Sequence, residues 1–378
     1  MILLIGYRKP VLQAIRDLEI PVVLWSEKTL PVSQQSYLTS LLIAPFPKNG
    51  SEIPKEIIEK LSKFSFSAVI ASKENSVVLA AKIREFFRIS GNSLVSSTYC
   101  HDKYQMKLMA EHHQISITPF VLLNRHSDPD QLIEQFGFPI VLKQRNSSGS
   151  RGIQFTQNKD ALVEHMHANW LAEKMILGPE YSVESFIQDR KIIFSNITEY
   201  FQLKFCNIMP ADIADTIFKE ILALNKKVIE IFHIERGMTH LELYVTKQGL
   251  LFGEIALRPP GGYLMNLLEL SYGFNPWQAF IKSELGELHS VPHQAQRYSS
   301  VLLIHPGEGV VKKIEGFEEI KRQSSVVSAK LRCYVGKKLK ERIGVGQDYG
   351  EVILKAKSRD EIVNALSIVQ DQLKIQLE

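Results

Sequence analysis

The segment that most constrains the fold is residues 239–262, THLELYVTKQGLLFGEIALRPPGG. HLELYV and LLFGEIALR alternate as strands do, and KQG between them suits the loop of a β-hairpin that closes on glycine. A three-residue loop predicts three cross-strand pairs: Thr246 with Leu250, Tyr244 with Phe252, and Glu242 with Glu254. Because side chains alternate along a strand, Arg258 is expected on the same face as the two glutamates.

Two carboxylates placed opposite each other need compensation, since like charges across a strand pair destabilise it. A hard divalent cation provides it, and Mg²⁺ is commonly held by one or two carboxylates together with substrate phosphates. The alternative is a solvated sheet face on which both side chains extend into water. The hairpin alone leaves both interpretations open.

The 378 residues are enough for two or three domains. A net charge of +4, without any block of Lys and Arg, gives no indication of nucleic-acid binding. No apolar run approaches the roughly 20 residues of a membrane span, and MILLIGYRKP is typical of a buried first strand rather than a signal peptide. Three widely separated cysteines, Cys100, Cys206 and Cys333, favour reduced thiols in a cytoplasmic protein.

Hydrophobic patterning divides the chain into three predicted domains. Residues 1–97 alternate strands and helices, which indicates an α/β unit with a mostly parallel sheet; its first turn, GYRKP, lacks the spaced glycines of a dinucleotide site. Residues 98–290 mix strands and helices, including a long helix that Pro210 is expected to open. Residues 291–378 are predicted to be a separate small α+β module that ends in a helix over 358–377.

FPIVLKQRNSSGSRGIQF places Lys143 at the end of a strand, before a loop rich in glycine and serine. Gly149 and Gly152 allow positive φ, so successive backbone amides can form an anion-binding nest. Further donors and positive charge come from Ser147, Ser148, Ser150 and Arg151. The loop joins two strands and is not a Walker A motif; it favours polyphosphate binding, with an ordinary surface hairpin as the alternative.

WLAEKMILGPEYSVESF adds a strand with Glu173 and Lys174, followed by Glu180 at the start of the next strand. A strand edge can hydrogen-bond a planar base, and a carboxylate suits the hydroxyl groups of a ribose. Taken singly, each of these residues is also consistent with an ordinary surface charge.

Taken in order, these motifs resemble the ATP-grasp superfamily of carboxylate ligases over about residues 98–290. The resemblance implies an ATP-grasp fold of mixed α/β and α+β class, preceded by an α/β domain and followed by a small closing module. CHDKYQMKLMAEHHQISITPF is similar to the segment that carries the first phosphate-binding lysine, here Lys103, and Lys143 matches the second.

The resemblance also assigns roles to the other motifs. It implies a mobile phosphate-covering loop at Ser147, Ser148, Gly149, Ser150 and Gly152. It implies an adenine hinge at Glu173, Lys174, Met175 and Ile176, and a ribose ligand at Glu180. It implies that Glu242 and Glu254 hold Mg²⁺, with Mn²⁺ as an alternative ion, and that Arg258 binds an acyl-phosphate.

The sequence departs from the family pattern at one position. Most members have Glu-x-Asn-x-Arg, in which the Asn is a further metal ligand, but EIALR places Ala256 there. Three outcomes stay open: two glutamates and water suffice, one metal binds weakly, or catalysis is lost. The amino-acid-ligase branch is similar in having a small apolar residue at this position.

The resemblance implies an ATP-dependent ligase that joins a small-molecule carboxylate to an amine through an acyl-phosphate and releases ADP and phosphate. Gly261 and Gly262 are candidates for the substrate pocket floor, or form a structural bend. Two alternatives are a carboxylase that uses bicarbonate, and an ATP-binding protein without turnover. No nucleic-acid or membrane partner is expected, and a homodimer is possible because relatives are often dimers.

Overall fold

The computed structural model describes residues 1–47, 51–149, 152–202, 205–342, 344 and 346–378. The three cysteines are buried and free. Among the helices of these described ranges, none is both long and apolar enough to cross a membrane.

The first unit alternates strands and helices, as predicted: β1 (Ile2–Ile5), α1 (Lys9–Asp17), β2 (Val22–Ser26), α2 (Val32–Gln35), β3 (Ser40–Ile43), α3 (Lys55–Leu61), β4 (Ala68–Ala71) and α4 (Val77–Phe87). The strands are parallel in the order β3-β2-β1-β4. The sequence signal for β3 is weak, because its apolar run is short and its residues are not fully buried. The order of strands reverses between β1 and β4, which makes the crevice at their carboxyl ends a topological switch point.

Helices α5 (Leu94–Tyr99) and α6 (Lys103–His112) pack against the hydrophobic core shared by the first unit and the large sheet. The next elements build a small lobe: β5 (Phe120–Leu122), α7 (Pro129–Phe136), β6 (Ile140–Gln144), β7 (Gln154–Thr156), α8 (Lys159–His165) and β8 (Trp170–Lys174). Its four antiparallel strands have the order β5-β8-β6-β7. Helices α7 and α8 contribute Leu132, Phe136 and Leu162 to the core of this lobe. Asp128 and Asn158 cap the two helices through their side chains, which explains where each helix begins.

The next elements form most of a large sheet and its helices: β9 (Glu180–Gln188), β10 (Lys191–Gln202), β11 (Cys206–Met209), α9 (Asp215–Ile231), β12 (Gly237–Thr246), β13 (Gly249–Ala256), α10 (Leu264–Tyr272) and α11 (Pro276–Leu285). The prediction that Pro210 opens a helix was wrong, because α9 begins at Asp215. The residues just before the proline form β11 instead, and this strand gains partners on both sides in the sheet.

The last elements are β14 (Tyr298–Ile304), β15 (Gly309–Glu315), α12 (Phe317–Lys321), β16 (Val326–Leu331), β17 (Lys338–Leu339), β18 (Gly350–Ala356), α13 (Arg359–Gln372) and β19 (Lys374–Leu377). The predicted final helix was too long, because α13 ends at Gln372 and β19 then pairs with β15. The large sheet has the order β13-β12-β9-β10-β11-β14-β18-β16. Strands from both sides of residue 290 therefore share one sheet, and the division there stays a prediction.

The hairpin of β12 and β13 turns on two residues, 247–248, rather than on three. The two predicted pairs nearest the turn were therefore wrong, since the structure pairs Thr246 with Gly249 and Tyr244 with Leu251. Glu242 nevertheless pairs with Glu254, because a register shift beside Glu242 leaves Gly253 as an extra residue in β13. A Cβ at Gly253 would lie 3.0 Å from the carbonyl oxygen of Glu242, so the bulge favours glycine.

Candidate functional site

A cleft of about 950 Å³ lies between the small lobe, the large sheet and the carboxyl edge of the first unit. Most of the predicted site residues line it: Lys103, Lys143, Ser147, Ser148, Gly149, Glu173, Lys174, Met175, Ile176, Glu180, Glu242, Glu254, Arg258, Gly261 and Gly262. Gly152 does not line the cleft, and a Cβ there would lie 2.9 Å from the side chain of Gln144. Ser150 and Arg151 lie outside the described residues.

Lys103 connects three parts of the site. It is the first residue of α6, and the preceding Asp102 caps this helix by accepting backbone hydrogen bonds from its first turn. The Lys103 Nζ donates to the carbonyl oxygen of Ser147 at 2.6 Å and lies 3.2 Å from Glu254 Oε2. The lysine thus joins the glycine- and serine-rich loop to the hairpin that carries the facing glutamates.

A buried group of three charges lies beside the loop. The carboxylate of Glu173 is 2.9 Å from Lys143 Nζ and 3.2 Å from Lys107 Nζ, and the second contact lacks hydrogen-bond geometry. Burial favours the protonated carboxyl group, but the two lysines outweigh it and lower the pKa of Glu173 to about 2. Burial lowers the pKa of Lys107; for Lys143 the charge of Glu173 overcomes burial and raises the pKa.

Sequence reasoning missed Lys107, which is 2% exposed. Its signal was the four-residue spacing from Lys103, which places both lysines on one face of α6. The adenine-hinge assignment remains a prediction; within that segment the side chain of Glu173 faces lysines, while Lys174 is exposed and its backbone N–H donates to the carbonyl oxygen of Pro119 at 3.1 Å.

Two neighbouring carboxyl groups near the hairpin, those of Glu180 and Glu242, have pKa values shifted in opposite directions. Burial and the charge of Glu242 raise the pKa of Glu180 to about 8, although Lys143 opposes this. Burial would also raise the pKa of Glu242, but hydrogen bonds from His240 and Tyr200 and the nearby positive charges lower it to about 2. Glu242 is therefore the ionised member of this pair at neutral pH, as a metal ligand must be.

His240 forms a buried link between two carboxylates. Its Nδ1 is 2.9 Å from Glu184 Oε1 and its Nε2 is 3.2 Å from Glu242 Oε1. Burial would lower the pKa of His240, but these two hydrogen bonds raise it to about 9, so the imidazole is charged at neutral pH. The sequence analysis did not select His240, although it lies two residues before Glu242 and shares its strand face; it pairs directly with Ala256.

Arg258 reaches the first unit of the chain. Its Nε donates to Glu74 Oε2 at 2.8 Å, and the other oxygen of Glu74 accepts a hydrogen bond from His101 at 2.8 Å. Burial would raise the pKa of Glu74, but these cationic and hydrogen-bonding partners lower it to about 2. Glu74 was missed because it lies 184 residues from Arg258 in the chain.

The hairpin carboxylates can be tested as a metal site on their own geometry. Glu242 and Glu254 pair across the two strands and both line the cleft. Within the described ranges no cluster of three or more His, Cys, Asp or Glu side chains could hold a metal. Two carboxylates fit Mg²⁺ that takes its remaining ligands from phosphate and water, whereas they do not form an all-protein cage.

Comparisons with known proteins agree with this architecture. The ATP-grasp domain family matches residues 108–263, and the family of L-amino acid ligase C-terminal domain 2 matches residues 301–378. The L-arginine-specific L-amino acid ligase of Bacillus subtilis is 22% identical over 341 residues, which cover 85% of this chain and 83% of the relative.

Two solved structures share the fold. The L-amino acid ligase from Bacillus licheniformis matches with a TM-score of 0.82 and 18% identity, covering 100% of this chain and 98% of that one. The N5-carboxyaminoimidazole ribonucleotide synthetase from Thermotoga maritima matches with a TM-score of 0.75 and 19% identity, covering 100% and 99%.

The chain carries an ATP-grasp domain at residues 108–263. Residues 301–378 form an L-amino acid ligase C-terminal domain 2.

Proposed function

We propose that the protein is an ADP-forming ligase that activates a carboxylate as an acyl-phosphate and joins it to the amine of a small molecule, with an amino acid as at least one substrate. The observation that carries the proposal is the convergence of Lys103, Lys143, the facing glutamates and Arg258 on one cleft. The homology to L-amino acid ligases supports the reaction class.

ATP would lie with its phosphates between the small lobe and the hairpin. Lys103 and Lys143 would bind the phosphates, and the backbone amides around Ser148 and Gly149 would cover them. Gly149 has φ +66°, which places it in the region where glycine is favoured. At the far end of the cleft, Met175 and Ile176 border the space proposed for the base, with Glu180 placed for the ribose.

Glu242 and Glu254 would hold Mg²⁺, which when bound screens the negative charge of the phosphates from the incoming carboxylate. His240 keeps Glu242 ionised and fixes its orientation through the 3.2 Å contact. Lys103 Nζ lies 3.2 Å from Glu254 Oε2. We infer that this lysine exchanges the carboxylate for phosphate when ATP enters.

Arg258 would bind the acyl-phosphate oxygen atoms, because a guanidinium can donate two parallel hydrogen bonds to such a group. Glu74 accepts a hydrogen bond from the Nε of Arg258, and the carbonyl oxygen of Pro259 accepts one from its Nη1 at 3.1 Å. Nη2 and the second N–H of Nη1 would then donate to the acyl-phosphate. Gly262 has φ +59°, and among the described residues a Cβ there would have only Asn207 Nδ2 within 4 Å, at 4.0 Å. The glycine thus serves the turn and leaves room for substrate.

A bicarbonate-using carboxylase is the second candidate, since a carboxyaminoimidazole synthetase shares the fold. The match of the last 78 residues to an amino-acid-ligase domain favours the carboxylate–amine ligase.

The test is a coupled assay of ADP release with pairs drawn from the twenty amino acids, with Mg²⁺ and without added bicarbonate. Amine-dependent ADP and phosphate release, with a condensed product seen by mass spectrometry, is the expected result. ADP release that needs bicarbonate and not an amine would contradict the proposal.

A further inference from the structure

The switch-point crevice of the first unit opens into the same cleft. Arg8 follows β1, and Ser72, Lys73 and Glu74 follow β4; all four line the cleft. Ligands of open parallel sheets bind at this position, outside the carboxyl ends of the strands where their order reverses. The turn GYRKP, which does not fit a dinucleotide, therefore lies at a ligand-binding edge of the fold.

Arg8 is held in place without being neutralised. Its guanidinium donates to the carbonyl oxygens of Pro259 and Pro260 at 3.0 and 3.1 Å and lies 5.0 Å from the ring centre of Trp277. Within the part of the chain that the structure describes, no carboxylate is within ion-pair distance of it. Carbonyl and aromatic contacts orient an arginine, but they leave its charge available to an anion.

The charges around Arg8 add to its positive potential. Both oxygens of Glu74 are already engaged, by Arg258 and His101. Burial lowers the pKa of Lys73; the charge of Glu27 opposes this effect, and the nearby charge of Arg8 adds to it. Burial and the charge of Arg258 lower the pKa of Arg8 to about 10, which still leaves it charged at neutral pH. This edge of the cleft has more positive than negative groups.

The backbone supports the same conclusion. Arg8 is the N-cap residue of α1, a nine-residue helix whose N-terminus has no side-chain cap. The partial positive charge of this helix end therefore adds to that of the guanidinium.

The separation of the two arginines limits what can bind. Arg8 and Arg258 each donate to the carbonyl oxygen of Pro259, at 3.0 and 3.1 Å, so the donating nitrogens are at most about 6 Å apart. One small ligand, or two adjacent ones, can therefore place one carboxylate at each arginine.

We propose that Arg8, at the switch-point crevice, binds a second substrate carboxylate, separate from the one that is activated beside Arg258. The inference rests on the proposed ligase function. The carboxylate has two possible sources with the same chemistry: the α-carboxylate of an amino acid that serves as the amine, or the second carboxylate of a dicarboxylic acid.

The experiment uses the full chain with three substitutions. Arg8→Gln removes the charge, and Arg8→Lys keeps the charge but not the planar fork. Arg16→Gln is the matched control, because Arg16 lies on the same helix with a side chain 43% exposed and paired with Asp17. Thermal unfolding and ATP binding are measured for each variant, so that a folding defect is recognised.

Steady-state ADP release is then measured with each amino acid and with its carboxamide as the amine, and with monocarboxylic and dicarboxylic acids as the acid. Arg8→Gln should raise KM about 10- to 100-fold for substrates with the extra carboxylate, because a charge-assisted hydrogen bond is lost. KM should change less than about twofold for the carboxylate-free analogues, and ATP affinity should be unchanged. Arg8→Lys should fall between wild type and Arg8→Gln. A selective rise in KM for amino acids over their carboxamides identifies the α-carboxylate of the amine as the ligand of Arg8. A selective rise for dicarboxylic over monocarboxylic acids identifies the second carboxylate of the acid.

Equal losses with and without the extra carboxylate, or a lower kcat with all substrates, would overturn the proposal and indicate a structural role for Arg8. A protein without turnover would refute the ligase function but not the site. In that case, calorimetry with the same amino acids and carboxamides decides. The site is supported if wild type binds the amino acids more tightly than their carboxamides and Arg8→Gln loses this preference. Equal binding of the amino acids and the carboxamides by wild type overturns it.

Discussion

Glu173→Gln should destabilise the small lobe by leaving two buried cations without a counter-charge. The Glu173 carboxylate is 3% exposed and lies between Lys143 and Lys107, at 2.9 and 3.2 Å. Glutamine keeps the size and the polar character of the side chain. The substitution therefore isolates the effect of charge.

The magnitude follows from the protonation of Glu173. Its pKa falls from 4.5 to about 2, which corresponds to about 3 kcal/mol in favour of the ionised form at roughly 1.4 kcal/mol per tenfold change. Removing one partner of a buried ion pair typically costs about 3–5 kcal/mol. We therefore expect a loss of about 3 kcal/mol at pH 7, or more than about a hundredfold in the unfolding constant of the lobe.

The pH dependence has a defined sign. The pKa of Glu173 is lower in the folded state, so its stabilisation is complete above pH 4.5 and is lost as the pH falls from 4.5 toward 2. The difference between wild type and Glu173→Gln should shrink over that interval.

The assay is urea unfolding followed by tryptophan fluorescence, together with hydrogen exchange of β6 and β8, which report on the lobe itself. Glu164→Gln, at an exposed position on α8 of the same lobe, is the control and should change the free energy by less than about 0.5 kcal/mol. Lys107→Met in the Glu173→Gln background should recover part of the loss, because it removes an uncompensated cation. A loss below about 1 kcal/mol, or no recovery in the double variant, would refute the reasoning.

Three further predictions concern the cleft. Glu254→Ala should abolish Mg²⁺-dependent phosphate release, measured by a coupled phosphate assay; activity near wild type would remove Glu254 from the proposed metal site. Arg258→Lys should keep ATP affinity within about twofold while kcat falls at least about a hundredfold, because lysine lacks the planar fork; an unchanged kcat would contradict its role. His240 has a raised pKa of about 9, so its stabilisation is complete below pH 6.5 and is lost between pH 6.5 and 9. In unfolding measurements, wild type should lose stability over that interval relative to His240→Gln, and parallel profiles would show that His240 is not charged.

Sequence reasoning recovered the local parts of the site. Lys143 lies near the end of strand β6, and Glu242 pairs with Glu254, as predicted. The predicted pairs nearer the turn were wrong because the loop has two residues rather than three. The bulge at Gly253 offsets this difference, so Glu242 still pairs with Glu254. Neither the two-residue loop nor the bulge changes the hydrophobic alternation enough to be recognised in a sequence.

The order of motifs, through its resemblance to the ATP-grasp superfamily, indicated the fold and many of the residues that line the cleft. Strand periodicity and loop chemistry can be read from the sequence because they act between near neighbours in the chain. Only the tertiary structure decided which groups meet. Lys107 reaches Glu173, Arg258 reaches Glu74, and Arg8 reaches the carbonyl groups beside Arg258 across long stretches of chain. These contacts depend on how helices and sheets pack together, and that packing also sets the burial and the neighbouring charges that fix each pKa.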